Sequence, residues 1–383
     1  MENPFVYGEV VPPTAFADRE DELARLVADL ADGQKVFLIS PRRYGKSSLI
    51  GQALRVLRRR GIPGVALTVS SFSSYVAFLE GYTRALLDLE REPARARSWL
   101  ERLTGAARPV VRPAGLAGGR RGGVEVAFPG ARTPRDIARL ADEVFALPGR
   151  IAEARGGRLV VALDEFQDVA HFDGGAVEQA LRAAVQHQRG VGYVFAGSEP
   201  RLMERMIGPR RPFYKAGPVM RLGRIAPDVF AAFVEARFRR SGIAPEPGLG
   251  AALVDLAGNL PYDVQRLAHE TWDDVHAAGR RKATVEDVHA TLHRLLAEQG
   301  VFFESLWQRL TLAQRAALRA VVLEEGRELL AADTRLRHRL GGASSVQASL
   351  AALQRADLVL RDDQGRYVVL DSLLREWVAR RTY

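Results

Sequence analysis

The sequence predicts an α/β core built on a parallel sheet, then an all-helical region, then a C-terminal winged helix-turn-helix. Three observations support this fold class. Apolar runs alternate with helical patterns up to Leu222, and only helical patterns follow from Pro227 to Leu296. Near the C-terminus, three helical patterns precede a hairpin. Alternation of strands and helices is typical of a parallel sheet with right-handed crossovers.

Five short apolar runs are the predicted strands of the core. Aliphatic and β-branched runs without polar alternation suit strands that are buried on both faces. A charged helix precedes the first strand, and helical patterns such as residues 75–89 and 137–154 separate the first four. Residues 124–128 suit a small hairpin on a surface excursion. The predicted strands are Val36–Ile39, Val65–Val69, Leu159–Leu163, Tyr193–Ala196 and Val219–Leu222.

The remaining elements follow from helical spacing and turn residues. Thr284 with Asp287 three residues later is a capping-box-like helix start. The predicted helices of the middle region are 228–239, 247–257, 261–278 and 285–296. The predicted winged helix has helices 312–325, 329–340 and 344–355, strands 358–361 and 367–370, and a closing helix 371–380. The predicted domains are an α/β core (1–224), a helical lid (225–300) and the winged helix (301–383).

Composition limits the class of protein. The chain has 383 residues, which suffices for two or three domains, and its 47% hydrophobic and 26% charged residues are typical of a globular protein. It has no cysteine, which excludes disulfides, thiolate zinc sites and cysteine nucleophiles. No apolar run approaches the ~18 residues of a membrane span, and the N-terminus lacks a signal-peptide pattern. We therefore expect a cytoplasmic protein that does not bind membranes.

The net charge of +9 is unevenly distributed. Lysine occurs at only four positions, and such a bias towards arginine usually reflects coding composition, so the abundance of arginine is poor evidence for nucleic-acid binding. Residues 91–135, however, contain ten arginines against three glutamates, a net charge of +7. This basic segment is either a nucleic-acid contact or a solvated loop.

Residues 35–49 have the pattern of a phosphate-binding loop. They read KVFLISPRRYGKSSL: a buried strand, a tight turn, and Gly45-Lys46-Ser47 at the start of a helix. In such a loop, backbone N–H groups and the helix N-terminus bind an anion, the lysine reaches the β- and γ-phosphates, and the Ser47 hydroxyl holds Mg²⁺. The pattern has glycine where this chain has Ser40. The predicted ATP-binding residues are Ser40, Pro41, Arg42, Arg43, Tyr44, Gly45, Lys46, Ser47 and Ser48.

A second motif, LDEFQD, ends the third predicted strand. Acids at the carboxyl end of a strand lie at the edge where open α/β sheets bind ligands. Asp164 would then hold Mg²⁺ together with Ser47, and Glu165 would orient the attacking water. The alternative is that Asp164 caps a helix and Glu165 is a solvated acid of its first turn. The phosphate loop upstream favours the nucleotide interpretation.

With these motifs in order, the chain resembles the archaeal-type ATPases of the AAA+/STAND group over nearly its whole length. The residues Phe16, Asp18, Arg19, Glu20 and Glu22 match the charged box that opens the family's core, and 41–49 match its phosphate loop. The resemblance implies that the backbone and side chains near Phe16 line an adenine pocket.

The resemblance also implies roles for three later residues. Ser198 follows a strand that looks like sensor 1, and would contact the γ-phosphate or the water. Pro261, in Gly258-Asn259-Leu260-Pro261, would face the nucleotide from the lid. Arg211, beside Arg210, lies where AAA+ proteins place an arginine finger that acts on a neighbouring copy, or else is solvated.

Two function classes remain open. In the first, the chain is an Mg²⁺-dependent ATPase whose nucleotide state switches its conformation, its homo-oligomerisation or its binding of a protein partner. In the second, it is a DNA-binding ATPase of origin-recognition or loader style, which contacts duplex DNA through the winged helix or the basic segment 91–135. The predicted third helix of the winged helix offers no cation before Arg355, while arginines cluster on the preceding helix. A small-molecule kinase is disfavoured because no acceptor site is evident.

Overall fold

The computed structural model describes residues 2–8, 12, 16, 19–89, 99, 109–113, 124–173, 175–362 and 364–381. Its contacts divide the chain into two compact units. We name Arg19–Gly223 the core unit, and Met1–Asp18 with Arg224–Tyr383 the C-terminal unit. The finer division into three domains stays a prediction. Among the described residues, no helix is long and apolar enough to cross a bilayer.

The core unit is built on a five-stranded parallel sheet, whose strands in spatial order are β2 (Gly64–Thr68), β5 (Leu159–Asp164), β6 (Val191–Gly197), β1 (Lys35–Ile39) and β7 (Val219–Arg221). All five predicted core strands are present, and helices separate them as expected. The elements in chain order are α1 (Glu20–Ala31), β1 (Lys35–Ile39), α2 (Lys46–Arg59), β2 (Gly64–Thr68), α3 (Tyr75–Leu87), β3 (Val110–Pro113), β4 (Val124–Ala127), α4 (Pro134–Ala154), β5 (Leu159–Asp164), α5 (Ala170–Asp173), α6 (Ala176–Val185), β6 (Val191–Gly197), α7 (Pro200–Met206) and β7 (Val219–Arg221).

The register of the sheet brings three strand ends together. Ile39 of β1 pairs with Gly197 of β6, and Leu163 of β5 pairs with Phe195 of β6. The strands are parallel and buried, so the loops that follow β1, β5 and β6 emerge at one edge. The core unit therefore places the two predicted motifs beside each other.

The predicted surface hairpin is also present. Strands β3 and β4 pair in antiparallel fashion, with Val110 opposite Ala127. The basic segment that contains this hairpin lies largely outside the described residues, and so do Arg120 and Arg121 at its predicted tip. The charge of this segment is therefore known from the sequence alone.

The C-terminal unit contains a helical region and a winged helix around one hydrophobic core. The sequence predicts only helices in the helical region, but the structure also contains a short parallel strand pair, in which Ala244 is opposite Lys282. Its elements are α8 (Pro227–Arg240), β8 (Ala244–Pro245), α9 (Leu249–Leu256), α10 (Pro261–Ala277), β9 (Lys282–Ala283) and α11 (Val285–Arg309). The winged helix continues with α12 (Leu312–Leu323), α13 (Ala332–Arg337), α14 (Ala343–Arg355), β10 (Val359–Arg361), β11 (Tyr367–Val369) and α15 (Ser372–Ala379).

Helices α11 and α13 differ in length from the prediction. Helix α11 does not end at Leu296 but continues to Arg309, because Phe303 and Trp307 extend its buried face beyond Gly300. Helix α13 is shorter than predicted, because Glu328 before it and Arg339 after it adopt left-handed backbone conformations (φ of 47° and 52°). The capping box of Thr284 and Asp287 is present.

Candidate active site

The loop between β1 and α2 has the backbone of an anion-binding turn. Gly45, directly before α2, has a φ of 86°, a left-handed conformation that favours glycine. The buried Ser40 donates its N–H to the Gly197 carbonyl (3.2 Å), and its hydroxyl donates to the carbonyl of Pro41 (2.9 Å). Ser40, the departure from the glycine pattern, thus turns its side chain back onto the loop's own backbone. The first N–H groups of a helix generally lack partners within the helix, so the start of α2 has the character of an anion-binding end.

Lys46 and Ser47, at the start of α2, contact the acids that end β5. The Lys46 side chain is only 5% exposed, and its Nζ contacts Asp164 Oδ1 and lies 3.3 Å from Glu165 Oε1. The Ser47 hydroxyl donates to Asp164 Oδ2 over 2.5 Å. The two motifs that the sequence predicts to meet are therefore joined through side-chain hydrogen bonds.

Glu165 lies at the centre of a second set of hydrogen bonds. Its Oε2 accepts from the Ser198 hydroxyl (2.5 Å) and backbone N–H (3.2 Å), and from Gln167 Nε2 (2.7 Å). Burial favours the neutral acid, but the Lys46 charge and these hydrogen bonds outweigh burial and lower the pKa of Glu165 below its ordinary value. Glu165 is therefore a carboxylate at neutral pH, held in one orientation.

Two residues of this region carry contacts that the sequence did not indicate. Gln167 is buried and orients Glu165, and a side chain at Gly197 would collide with Gln167 and Met203. Arg19 is buried and donates to the carbonyl of Tyr44 in the phosphate loop (3.3 Å). In the sequence, the only sign that Gln167 contacts Glu165 is its position two residues later in LDEFQD, on a tight turn.

Comparisons with known proteins agree with this architecture. Residues 301–380 match a family model described as a probable winged helix domain. A Walker-type ATPase of Pyrococcus abyssi is 16% identical, with a TM-score of 0.61 over 97% of this chain and 99% of that one. The ORC2 protein of Aeropyrum pernix, solved in ADPNP–ADP complexes, is 14% identical, with a TM-score of 0.57 over 97% and 95%. The ORC1 protein of the same organism, solved with DNA, is 15% identical, with a TM-score of 0.52 over 96% and 94%.

The chain has the AAA+ fold of these archaeal proteins. The fold class and the resemblance predicted from the sequence are confirmed at this level. No curated protein sequence matches the chain. At these identities the likeness shows the fold, and the roles of individual residues depend on the geometry above.

Within this AAA+ fold, the other predicted site residues have different surroundings. Tyr44 and Ser48 are buried, whereas Arg42 and Arg43 are exposed, and Arg42 Nε lies 3.5 Å from the Ser198 hydroxyl. Phe16 and Pro261 belong to the C-terminal unit, where Phe16 is half-buried and Pro261 is the first residue of α10. Their contacts with a nucleotide stay predictions.

Arg211 forms an ion pair inside the core unit. Its guanidinium donates to Glu178 Oε1 over 2.6 Å, and Glu178 on α6 is 1% exposed. Arg210 is exposed and has no ion pair within the described ranges. The proposed action of Arg211 on a neighbouring copy would require it to leave a buried carboxylate, which is costly.

Replacement of Arg211 by alanine is expected to reduce the free energy of unfolding by about 2–3 kcal/mol at pH 7. Removal of one partner of a fully buried ion pair reduces stability by more than this. Here, however, the Arg211 side chain is 44% exposed, and water screens part of its attraction to Glu178. Burial already raises the pKa of Glu178, with Arg211 opposing. Without Arg211, the pKa of Glu178 in the folded state rises further above its ordinary value of 4.5, so the buried carboxylate takes up a proton as the pH falls. The loss of stability in Arg211→Ala should therefore shrink as the pH falls towards 4.5.

Urea unfolding of Arg211→Ala between pH 4.5 and 8 measures this deficit, with Arg210→Ala as the matched control. We expect the control to change stability little at any pH. A deficit for Arg211→Ala that is independent of pH would contradict the assignment of the effect to Glu178.

Proposed function

We propose that this chain binds and hydrolyses ATP with Mg²⁺ and uses its nucleotide state as a conformational switch. The observation that supports the proposal most strongly is the hydrogen-bonded cluster of Lys46, Ser47, Asp164, Glu165 and Ser198 at one edge of the sheet. Each member has the chemistry that a phosphoryl-transfer site requires. The solved ORC2 structure with ADPNP and ADP supports nucleotide binding by a chain of this fold.

The residues present fit a nucleotide with its metal. Lys46 brings a buried positive charge to the mouth of the phosphate loop, where the N–H groups of α2 also point. Ser47 and Asp164 present a hydroxyl and a carboxylate within hydrogen-bond distance of each other, the oxygen pair that holds Mg²⁺ in phosphate-loop ATPases. When bound, Mg²⁺ supplies positive charge to the phosphate oxygens.

The second acid fits the task of activating water. Glu165 is ionised, and its Oε2 is fixed by Ser198 and Gln167. Lys46 is also 3.3 Å from its Oε1, and phosphates would draw that cation towards themselves. We propose that Glu165 then accepts a hydrogen bond from the attacking water, and that Ser198 keeps its carboxylate oriented.

The experiment that tests this function measures ATP turnover by the wild-type chain with Mg²⁺ and with EDTA. We expect hydrolysis only with Mg²⁺, together with nucleotide binding by calorimetry. A mass measurement with a non-hydrolysable nucleotide would show whether the switch includes homo-oligomerisation. A wild-type chain that neither binds nor hydrolyses ATP would overturn the proposal.

The surface of the winged helix favours a protein partner over DNA. DNA-binding winged helices present polar and basic side chains from the third helix, but the exposed Ser344, Ser345 and Gln347 of α14 carry no charge. Arg337 and His338 both contact Glu324, at 2.6 Å each, so this carboxylate offsets part of the charge of Arg337. The ORC1 structure with DNA supports the alternative, a DNA-associated ATPase.

Titration of labelled duplex DNA with the full chain separates the two partners. We expect only weak binding at low salt and none measurable at about 150 mM salt, because the exposed side chains named above on α14 carry no charge for phosphate contacts. The titration is run with and without ATP, since the alternative predicts tighter binding with nucleotide. Binding that persists at physiological salt and weakens in an Arg335→Ala, Arg339→Ala double variant would favour the DNA-associated function.

A further inference from the structure

The chain passes between its two units twice, after Asp18 and after Gly223. Arg19, the first residue of the core unit, contacts both the second crossing and the phosphate loop. Its Nη2 donates to the carbonyl of Gly223 (2.7 Å) and to the carbonyl of Tyr44 (3.3 Å). Its Nη1 pairs with Glu22 at 3.0 Å, and the whole side chain is only 6% exposed. One guanidinium thus links the first crossing, the second crossing and the candidate ATP site.

The N-terminal segment that leads to Arg19 is anchored in the C-terminal unit. The buried Phe5 packs against Phe238, with ring centroids 4.9 Å apart, and Arg237 donates to the carbonyl of Pro4. The Tyr7 hydroxyl donates to Glu270 over 2.8 Å, and burial together with this carboxylate raises the pKa of Tyr7 to about 12. Residues 4–7 are therefore fixed on the C-terminal unit, and the chain from there reaches the core unit at Arg19.

The carbonyl of Tyr44 is well placed to report on the phosphate loop. It belongs to the peptide that joins Tyr44 to Gly45, directly before the start of α2. Gly45 has a left-handed backbone, and no atom lies within 4 Å of the position that a Cβ would take there, so the space beside this peptide is open. A change of the loop on phosphate binding would alter the bond from Arg19, and the same guanidinium holds Gly223 at the other crossing.

We infer that Arg19 is a positioning residue that couples the phosphate loop to both chain crossings, so that ATP binding is transmitted to the C-terminal unit. This inference rests on the proposed ATP binding. It adds the route by which the switch would operate. The planar guanidinium holds two carbonyls at once, whereas a lysine ammonium at this position would lose that fixed geometry.

Hydrogen exchange of the full chain with and without Mg²⁺-ATP tests the coupling. In the wild type we expect ATP to slow exchange in residues 40–50 and also in residues 219–226. In Arg19→Ala we expect slowing in 40–50, with ATP affinity reduced about tenfold, but no ATP-dependent change in 219–226. Arg19→Lys should retain part of the ATP-dependent slowing in residues 219–226. Arg25→Ala is the control, since Arg25 lies on α1, the helix that starts directly after Arg19, with an exposed side chain 4.0 Å from Asp29, and it should behave as wild type.

The outcomes separate this inference from the proposed function. A merely structural Arg19 would change exchange in 219–226 equally with and without ATP, which would overturn the coupling. The same holds if Arg19→Ala keeps the ATP-dependent slowing there. If the alanine variant does not fold, Arg19→Lys provides the measurement, and full retention in it would overturn the role of the two-carbonyl geometry. If ATP does not slow exchange in residues 40–50 of the wild-type chain, the proposed ATP binding itself is overturned.

Discussion

Replacement of Lys46 by alanine is expected to abolish ATP binding at micromolar nucleotide. The Lys46 ammonium is buried against Asp164 and Glu165, at the loop where the β- and γ-phosphates would bind. Without it, the phosphates would face two carboxylates with no cation between them. Truncation of one partner of a buried charge pair costs about 2–5 kcal/mol, which corresponds to a loss of roughly 30- to 5,000-fold in affinity.

Calorimetry with Mg²⁺-ATP measures this loss, and circular dichroism confirms that the variant is folded. Lys215→Ala is the matched control, since Lys215 is an exposed lysine of the core unit that lies 5.4 Å from the ring of Tyr214. We expect the control to bind ATP as the wild type does. Unchanged affinity in a folded Lys46→Ala variant would remove the phosphate-loop assignment.

The local sequence pattern predicted the core strands correctly, because a short apolar run is enough to indicate a buried strand. β5 is buried at every position from Leu159 to Asp164, and its sequence contains no polar residue before the acid. The same pattern does not specify the strand order, which depends on pairing between distant segments. The position of β1 between β6 and β7 was therefore available only from the structure.

The extents of two helices were predicted wrongly, for different reasons. Gly300 disfavours a helix locally, yet the burial of Phe303 and Trp307 carries α11 past it. The left-handed backbones of Glu328 and Arg339 limit α13, and neither residue type signals such a conformation. In α11, packing therefore outweighs the local preference.

At the candidate site, the sequence predicted that the two motifs meet, and it missed contacts made by residues outside these motifs. Lys46, Ser47, Asp164 and Glu165 stand at recognisable spacings. The ion pair of Arg211 with Glu178 joins residues 33 positions apart, and the bond of Arg19 to Gly223 joins residues 204 positions apart. Such contacts depend on the completed sheet, which no local pattern describes.

Replacement of Glu165 by glutamine is expected to leave ATP affinity near that of the wild type and to reduce hydrolysis by about 10²–10⁴-fold. Glutamine keeps the size of the side chain and a carbonyl oxygen that can accept from Ser198, so the binding site remains intact. It loses the negative charge that would polarise the attacking water. Affinity and turnover should therefore separate, as they do when an interaction is made only in the transition state.

Single-turnover hydrolysis and calorimetry on the same preparation test that separation, with Asp164→Asn as the informative comparison. Asp164 contacts both Lys46 and the Ser47 hydroxyl, so its replacement should raise the Mg²⁺ concentration needed for binding, an effect that Glu165→Gln should lack. Glu204→Gln, an exposed acid paired with Arg221, serves as the control for loss of a carboxylate in the core unit. Normal hydrolysis in both Glu165→Gln and Asp164→Asn would mean that the two acids are helix-capping and structural groups. A defect in Mg²⁺ dependence shared equally by the two variants would instead assign both carboxylates to the metal and leave the water without a base.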